Sequence, residues 1–284
     1  MLLATDLDAA SVLILFGAMQ VLTGVVYCLP MPVQPLKAIA AIVIARKVPA
    51  GVIFGAGLAI GIVVMALALF GLLDWLGKVV PKCVVRGVQV GLGLQLASVA
   101  LQQFVFSSPP SSLVLGAVGA AIALALLGNR RLPAGLIVIC LGIAIGGWGL
   151  WNAGASVPIH VVLPQPRTPS PSEVLTGFLI LSLPQLPLSL ANSMLATRQL
   201  VEDLFPERGI TLKRIGVTYA AMNLVCPFFG GVPVCHGSGG MAGHYTFGAR
   251  TGGSVVICGG AFLVLGLLLS DGFALMVAHF PKAL

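Results

Sequence analysis

Along the chain, apolar runs alternate with short polar gaps. The runs cover 10–29, 36–45, 49–73, 83–106, 112–128, 132–151, 174–197, 212–229, 234–249, 254–270 and 271–281. A helix needs roughly 20 apolar residues to cross a bilayer, and several runs reach that length. The runs at 36–45 and 234–249 are too short, and each follows a proline-punctuated stretch. The run at 271–281 is short as well. The pattern predicts an all-α polytopic membrane protein with about 11 membrane segments.

The polar gaps give each segment a side. If the first run enters from outside, the inner gaps hold Lys78, Lys82, Arg86, Arg130, Arg131, Arg198, Arg208, Lys213, Arg214, Arg250 and Lys282. The outer gaps hold Arg46, Lys47 and Arg167. That excess of inner cations orients the chain by the positive-inside rule, provided the two short runs count as crossings. The longest gap is then external, and its five prolines make it a stiff linker. The domain organisation that follows is a first repeat over 1–151, an external linker over 152–173 and a second repeat over 174–284.

The two short runs resemble each other. Leu29-Pro30-Met31-Pro32-Val33-Gln34-Pro35-Leu36-Lys37-Ala38 and Gly231-Val232-Pro233-Val234-Cys235-His236-Gly237-Ser238-Gly239-Gly240 each carry Pro-Val, a polar position and then a small-residue helix. On the assigned topology they run in opposite directions. Inverted repeats with helices that begin in mid-membrane are the architecture of secondary transporters. The expectation is two broken helices preceded by short extended segments, at 30–36 and 229–235, that cross close to each other.

A helix that begins in mid-membrane offers unpaired N–H groups and a partial positive charge, which an anion satisfies. Pro32 and Pro35 force extended backbone before the first of these helices. Gly237, Gly239 and Gly240 allow close approach of a ligand. Gln34, His236 and Ser238 can add side-chain hydrogen bonds. Lys37 either faces the site or snorkels outward. In the run at 174–197, Gln185, Ser189, Asn192 and Ser193 share one helical face, which serves interhelical hydrogen bonding or the substrate. No Asp or Glu lies deep in a span, which favours an anion over a cation.

Composition agrees. Of 284 residues, 58% are hydrophobic and 8% charged, against roughly 25% charged in a soluble domain. The net charge of +7 does not indicate nucleic acid, because the basic residues lie between apolar runs without stacking aromatics. Six cysteines without CxxC spacing are read as buried apolar residues, and no metal or cofactor is expected. Cys235 and His236 are not a catalytic pair, since neighbours on a helix point about 100° apart. A membrane enzyme is therefore disfavoured. A non-transporting scaffold is the other class kept.

Pro30-Met31-Pro32-Val33-Gln34-Pro35-Leu36-Lys37-Ala38-Ile39-Ala40-Ala41 closely resembles the first signature of the molybdate transporter family, which is related to the sulfate permeases. Pro233 to Gly240, continuing to Phe247-Gly248-Ala249-Arg250-Thr251-Gly252, resembles the second. Gln185-Leu186-Pro187-Leu188-Ser189-Leu190-Ala191-Asn192 is similar to a third stretch. The resemblance implies a fold of fourteen helices in two inverted repeats, divided into core and gate, with substrate between the third and tenth helices. It places Gln34, Pro35, Leu36 and Lys37 by one of these, and Cys235, His236, Gly237, Ser238 and Gly239 by the other, with Gln185 and Asn192 nearby. It also implies that the chain opens at the family's second helix, without a Gly-Asp-Leu-Gly-type first helix, and stops near the twelfth. Molybdate is the implied substrate and sulfate the alternative. A related nucleobase carrier would place a carboxylate near Gln185. Membrane lipid is the expected environment, homodimerisation a further expectation, and a bacterial inner membrane the expected location. Molybdate and sulfate differ in size, and Gly237, Gly239 and Gly240 are read as the source of room for the larger ion.

Overall fold

Asp8 starts the first helix, α1 (Ala9–Tyr27), by accepting a hydrogen bond from the Ser11 N–H at 2.8 Å. Cys28, in the left-handed region at φ 52°, ends it. The chain then turns back as an extended segment containing β1 (Val33–Pro35), and a short helix, α2 (Lys37–Arg46), follows. Next come α3 (Ala50–Leu69) and α4 (Leu72–Val79), separated at Gly71, whose φ of +73° favours glycine. The computed structural model describes residues 5–81, 83–84, 86–87, 90–91, 94, 98, 101–102, 110–126, 129, 132, 134–154 and 159–281. Much of the run expected at 83–106 lies outside them.

Two further apolar helices, α5 (Pro110–Ala125) and α6 (Ala134–Asn152), precede the proline-rich linker. Residues 159–170 of that linker run as a strap over one end of the bundle. Val162 N–H donates to Leu267 O, Arg167 N–H to Phe228 O and Gln165 N–H to Ser11 Oγ. Ser170 and Glu173 then form a capping box that opens α7 (Pro171–Leu204).

At 34 residues, α7 is longer than the 174–197 expected from apolarity. Its last two turns are amphipathic and charged, with Arg198 paired to Glu202 at 2.9 Å, so hydropathy alone does not find them. Phe178–Ser182 and Ser189–Ala196 are wound as π-helix on either side of Pro184 and Pro187. Each proline removes an N–H from the ladder.

The pattern of the first four elements then recurs. Helix α8 (Leu212–Val225) ends in a 3₁₀ turn over Cys226–Phe229, so residue 229 is helical rather than extended. An extended segment with β2 (Val234–His236) follows, then short α9 (Ser238–Thr246) and α10 (Gly253–Leu268). Helix α11 (Ser270–His279) bends sharply away. Packing is reciprocal: α1 lies along α10, and α8 lies along α3. Glycine makes the first contact close. A Cβ on Gly17 would sit 2.6 Å from Gly259 O, and one on Gly252 would sit 2.0 Å from Gly24 O.

Among the described residues, α1, α3, α6 and α7 are each long and apolar enough to cross a membrane, and α10 with α11 form a bent pair that passes together. The core gathers Met31, Leu36, Ile53, Ile60, Ile215 and Tyr219 around the two strands. Outward-facing Trp148, Trp151 and Ile257 leave an apolar exterior suited to lipid. Three cysteines correct the expectation of burial: Cys28, Cys83 and Cys140 are exposed, whereas Cys226 and Cys235 are buried.

Candidate functional site

Each extended segment is held by an amide from the helix before it. Gln20 on α1 brackets Val33, accepting from its N–H at 2.9 Å and donating to its carbonyl at 3.2 Å. Asn223 on α8 brackets Val234 in the same way, at 3.0 and 2.7 Å. Both side chains are buried. Each supplies an extended residue with the ladder partner that hydrocarbon cannot. Sequence reasoning missed both residues. The available signal was a lone amide inside an otherwise apolar helix.

Between these pegs the strands pair antiparallel. Val33 faces His236, Gln34 faces Cys235 and Pro35 faces Val234. Leu36 N–H continues the pairing to Pro233 O at 3.1 Å. A proline is tolerated opposite Val234 because the polar groups of Val234 are already taken by Asn223. The pairing brings the starts of α2 and α9 together, as the crossing of two extended segments requires.

The two helix starts are finished differently. At α2, the buried Gln185 side chain caps in trans: its Oε1 accepts from Ala38 N–H at 2.8 Å and Ile39 N–H at 3.3 Å. Its Nε2 donates to Ser189 Oγ at 3.1 Å, and Ser189 shares a hydrogen bond with Tyr219 OH at 2.9 Å. At α9, Gly237 is the N-cap and supplies no side chain. Gly240 and Met241 bond back to Gly237 O. The Ser238 and Gly239 N–H groups make no hydrogen bond within the described residues. Ser238 Oγ donates to Asn192 Oδ1 at 2.8 Å.

Gln34 lies across this second start. A Cβ on Gly237 would fall 2.1 Å from Gln34 Oε1, and one on Gly240 would fall 2.2 Å from Gln34 Nε2. Gln34 Oε1 is buried without a partner. Gln34 atoms pack against Gly237, and Gln34 and Pro32 against Gly240, so protein side chains occupy the space where these glycines were expected to leave room for a ligand. Gly239 alone faces open space and is exposed. Pro35 is exposed, Leu36 is buried and Lys37 is half-buried in the first turn of α2, within electrostatic reach of buried Cys235.

His236 is fully buried, but its ring turns away from the helix starts. Nε2 meets Thr218 Oγ1 at 2.8 Å, and the ring packs edge-on to Tyr27 with centroids 5.6 Å apart. Thr197 donates to the His236 carbonyl at 3.4 Å. Of the predicted residues, Gln34, Gln185, Asn192, Gly237, Ser238 and Gly239 thus gather about the paired helix starts. The imidazole does not join them. No carboxylate is among these contacts, and no cluster suited to a metal ion occurs among the described residues. A cavity of about 550 Å³ lies elsewhere, under the strap, against Ser11, Phe54, Gln165 and Arg167. It shares no residue with this constellation.

The family model described as "Molybdate transporter of MFS superfamily" matches residues 1–96 and 177–284. Molybdate transporter 1 of Arabidopsis thaliana is 34% identical over 98% of this chain and 71% of its own length. Molybdate transporter 2 of the same plant is 31% identical over 98% and 70%. Among solved structures, the transmembrane domain of the cyanobacterial bicarbonate transporter BicA superposes with a TM-score of 0.63. The identity is 18%, covering 97% of this chain and 83% of that one. SLC26A9 gives 0.60 at 14% identity, covering 97% and 54%. These structural likenesses establish the fold, that of an all-α membrane protein. The named relatives are transporters, not enzymes. The curated ones come from a plant and an alga, so they lend no support to a bacterial inner membrane. Matched over most of its length by the family model and by both plant proteins, the chain belongs to the molybdate transporter family.

Proposed function

We propose that the chain moves molybdate across a membrane by secondary active transport, holding the oxyanion at the paired starts of α2 and α9. The observation that carries this reading is the start of α9. Among the described residues, two backbone N–H groups, at Ser238 and Gly239, have no partner there, and no carboxylate is among the contacts that surround them. Gln34, Lys37 and Asn192 border the same place, with Pro35, Leu36 and Cys235 forming its strand floor. Gln185 completes the first helix start, and Gly237 lets Gln34 lie close.

In this reading α1–β1–α2–α3 and α8–β2–α9–α10 are inverted counterparts. Their reciprocal packing and antiparallel strands support that relation. The repeats span 1–151 and 174–284, the linker at 152–173 is external, and about 11 segments cross a lipid bilayer. Two copies pair as a homodimer. Sulfate, also a tetrahedral dianion, is the competing substrate.

Uptake of labelled molybdate into proteoliposomes, with sulfate as competitor, tests the reading. Saturable molybdate uptake that sulfate inhibits only weakly is expected. Sulfate inhibition as strong as that by unlabelled molybdate would replace molybdate with a general oxyanion. Absence of any uptake or counterflow would leave only a scaffold.

A further inference from the structure

We propose that the cavity under the strap and an apolar groove beside it form one binding site for an aminophospholipid, with the headgroup in the cavity and an acyl chain in the groove. The cavity sits where three helices begin. Asp8 caps α1, Pro49 precedes α3 and Ser170 caps α7. Ser11, Ala50, Gly51 and Glu173, from the first turns of these helices, line its wall, and strap residues around Arg167 complete it. Each of the three helices is long and apolar enough to cross a membrane. Their shared start therefore marks the level at which lipid headgroups lie.

The lining carries charge of both signs, and it is not paired. Arg167 is the one cation among the described lining residues, and Asp8 and Glu173 are the carboxylates. None of the three forms an ion pair among the described residues. The Arg167 guanidinium makes one long bond, to Gln165 at 3.3 Å. Each carboxylate uses one oxygen to finish its own helix start. Asp8 Oδ2 accepts from the Ser11 N–H, and Glu173 Oε2 accepts from the N–H and hydroxyl of Ser170. Asp8 Oδ1 and Glu173 Oε1 accept no hydrogen bond among the described residues. Two carboxylates repel a free dianion here, and the guanidinium repels a metal ion. A zwitterion answers both signs. Its phosphate accepts from Arg167, and its primary ammonium donates to the free oxygens of Asp8 and Glu173.

The groove makes that zwitterion a lipid. It has a volume of about 530 Å³, runs between α3 and α7, and is lined by apolar side chains alone, among them Leu58, Ile62, Val63, Val174, Leu175 and Phe178. Pro169 borders both the groove and the cavity. At 1.5 Å per residue, Leu58 and Ile62 lie about 12–18 Å along α3 from its start. An acyl chain whose headgroup rests at that start runs at the same depth. Ile62 and Leu175 are exposed, so the groove opens sideways to the bilayer. Seated in this way, the lipid ties the strap to α3 and α7, beside the bonds the strap already makes to Ser11 and Phe228.

Phosphatidylethanolamine, phosphatidylcholine and phosphatidylglycerol with the same palmitoyl and oleoyl chains, added to the detergent-purified chain and read by native mass spectrometry, test this. Wild-type protein is expected to retain one phosphatidylethanolamine at several-fold lower concentration than either other lipid. A trimethylammonium has no N–H to donate, and a glycerol headgroup has no cation. Asp8→Asn combined with Glu173→Gln keeps both helix caps and should abolish that preference. Where the double variant does not purify, Asp8→Asn alone carries the comparison. Arg167→Gln, and Ile62→Trp, which fills the groove, should each weaken retention several-fold. Glycerophosphoethanolamine, with the same headgroup and no chains, should compete at least ten-fold more weakly than the lipid. Wild-type retention of phosphatidylcholine or phosphatidylglycerol as strong as that of phosphatidylethanolamine, or no retention at all, overturns the proposal. So does an unchanged preference in the carboxylate variants, or glycerophosphoethanolamine competing as well as the lipid.

Discussion

Gln185 caps a helix 147 residues away in sequence: its side-chain oxygen accepts the Ala38 N–H at 2.8 Å. The two helix starts are therefore not equivalent. One is already satisfied by an amide of α7, and the other, where we propose that the anion binds, has no side-chain cap. Replacing Gln185 by Leu removes the acceptor for two N–H groups and leaves Ser189 without its donor. A lost cap costs about 0.5–2 kcal/mol, so a lower melting temperature is expected in detergent. Gln185→Glu keeps the acceptor for both N–H groups but loses the donor to Ser189 and buries a charge, so it too is expected to be less stable. It also adds a negative charge beside the site, and molybdate binding should fall sharply. Binding unchanged in Gln185→Glu would place the anion away from α2.

Ser238 offers a second charge test. Its hydroxyl donates to Asn192, and its N–H begins α9. Ser238→Ala loses one hydrogen bond, about 0.5–1.5 kcal/mol, and should reduce uptake modestly. Ser238→Asp places a carboxylate where a dianion is proposed to bind, at low dielectric, and should abolish uptake. Initial-rate uptake of the two variants decides the matter. Equal rates would remove the start of α9 from the binding site.

Gly237 and Gln34 should behave as a coupled pair. The φ of Gly237 is −104°, which any residue adopts, so an added methyl strains nothing in the backbone. It displaces the Gln34 amide instead. Gly237→Ala is expected to lose uptake, and Gly237→Ala in a Gln34→Ala background should lose little more than Gln34→Ala alone. Additive losses in this double-mutant cycle would show that the methyl acts on the ligand directly.

Stability should depend on the two pegs. Asn223→Leu leaves the Val234 N–H and C=O buried without partners, at about 1–3 kcal/mol for each group. Gln20→Leu does the same at Val33. Thermal unfolding is expected to show a marked drop for either variant, larger than for a surface substitution. A drop no larger than that for exposed Leu22→Ala would mean the strands hold without their amides.

Much of this was legible in the sequence for a definite reason. Pro32, Pro35 and Pro233 dictate extended backbone whatever surrounds them, so the breaks and short helices were found within a few residues. The helix start at Gly237 and Ser238 is legible for the same local reason. Long-range partners were not. Nothing near Gln185 in sequence says that it caps α2, and nothing near His236 says that its ring turns to Tyr27. The charged end of α7 was hidden because hydropathy marks lipid, not helix. The glycines were misread because a gap in sequence volume does not say which side chain fills it.

The strand pair also limits how the molecule can move. Leu36 is bonded to Pro233, the two strands are in register, and each is pegged to its own long helix. Prising α2 from α9 would break the bonds between the two strands in surroundings that offer no replacement. The joint between the two half-helices is thus a rivet rather than a hinge. Whatever motion carries an anion from one face of the bilayer to the other must take both helix starts along together.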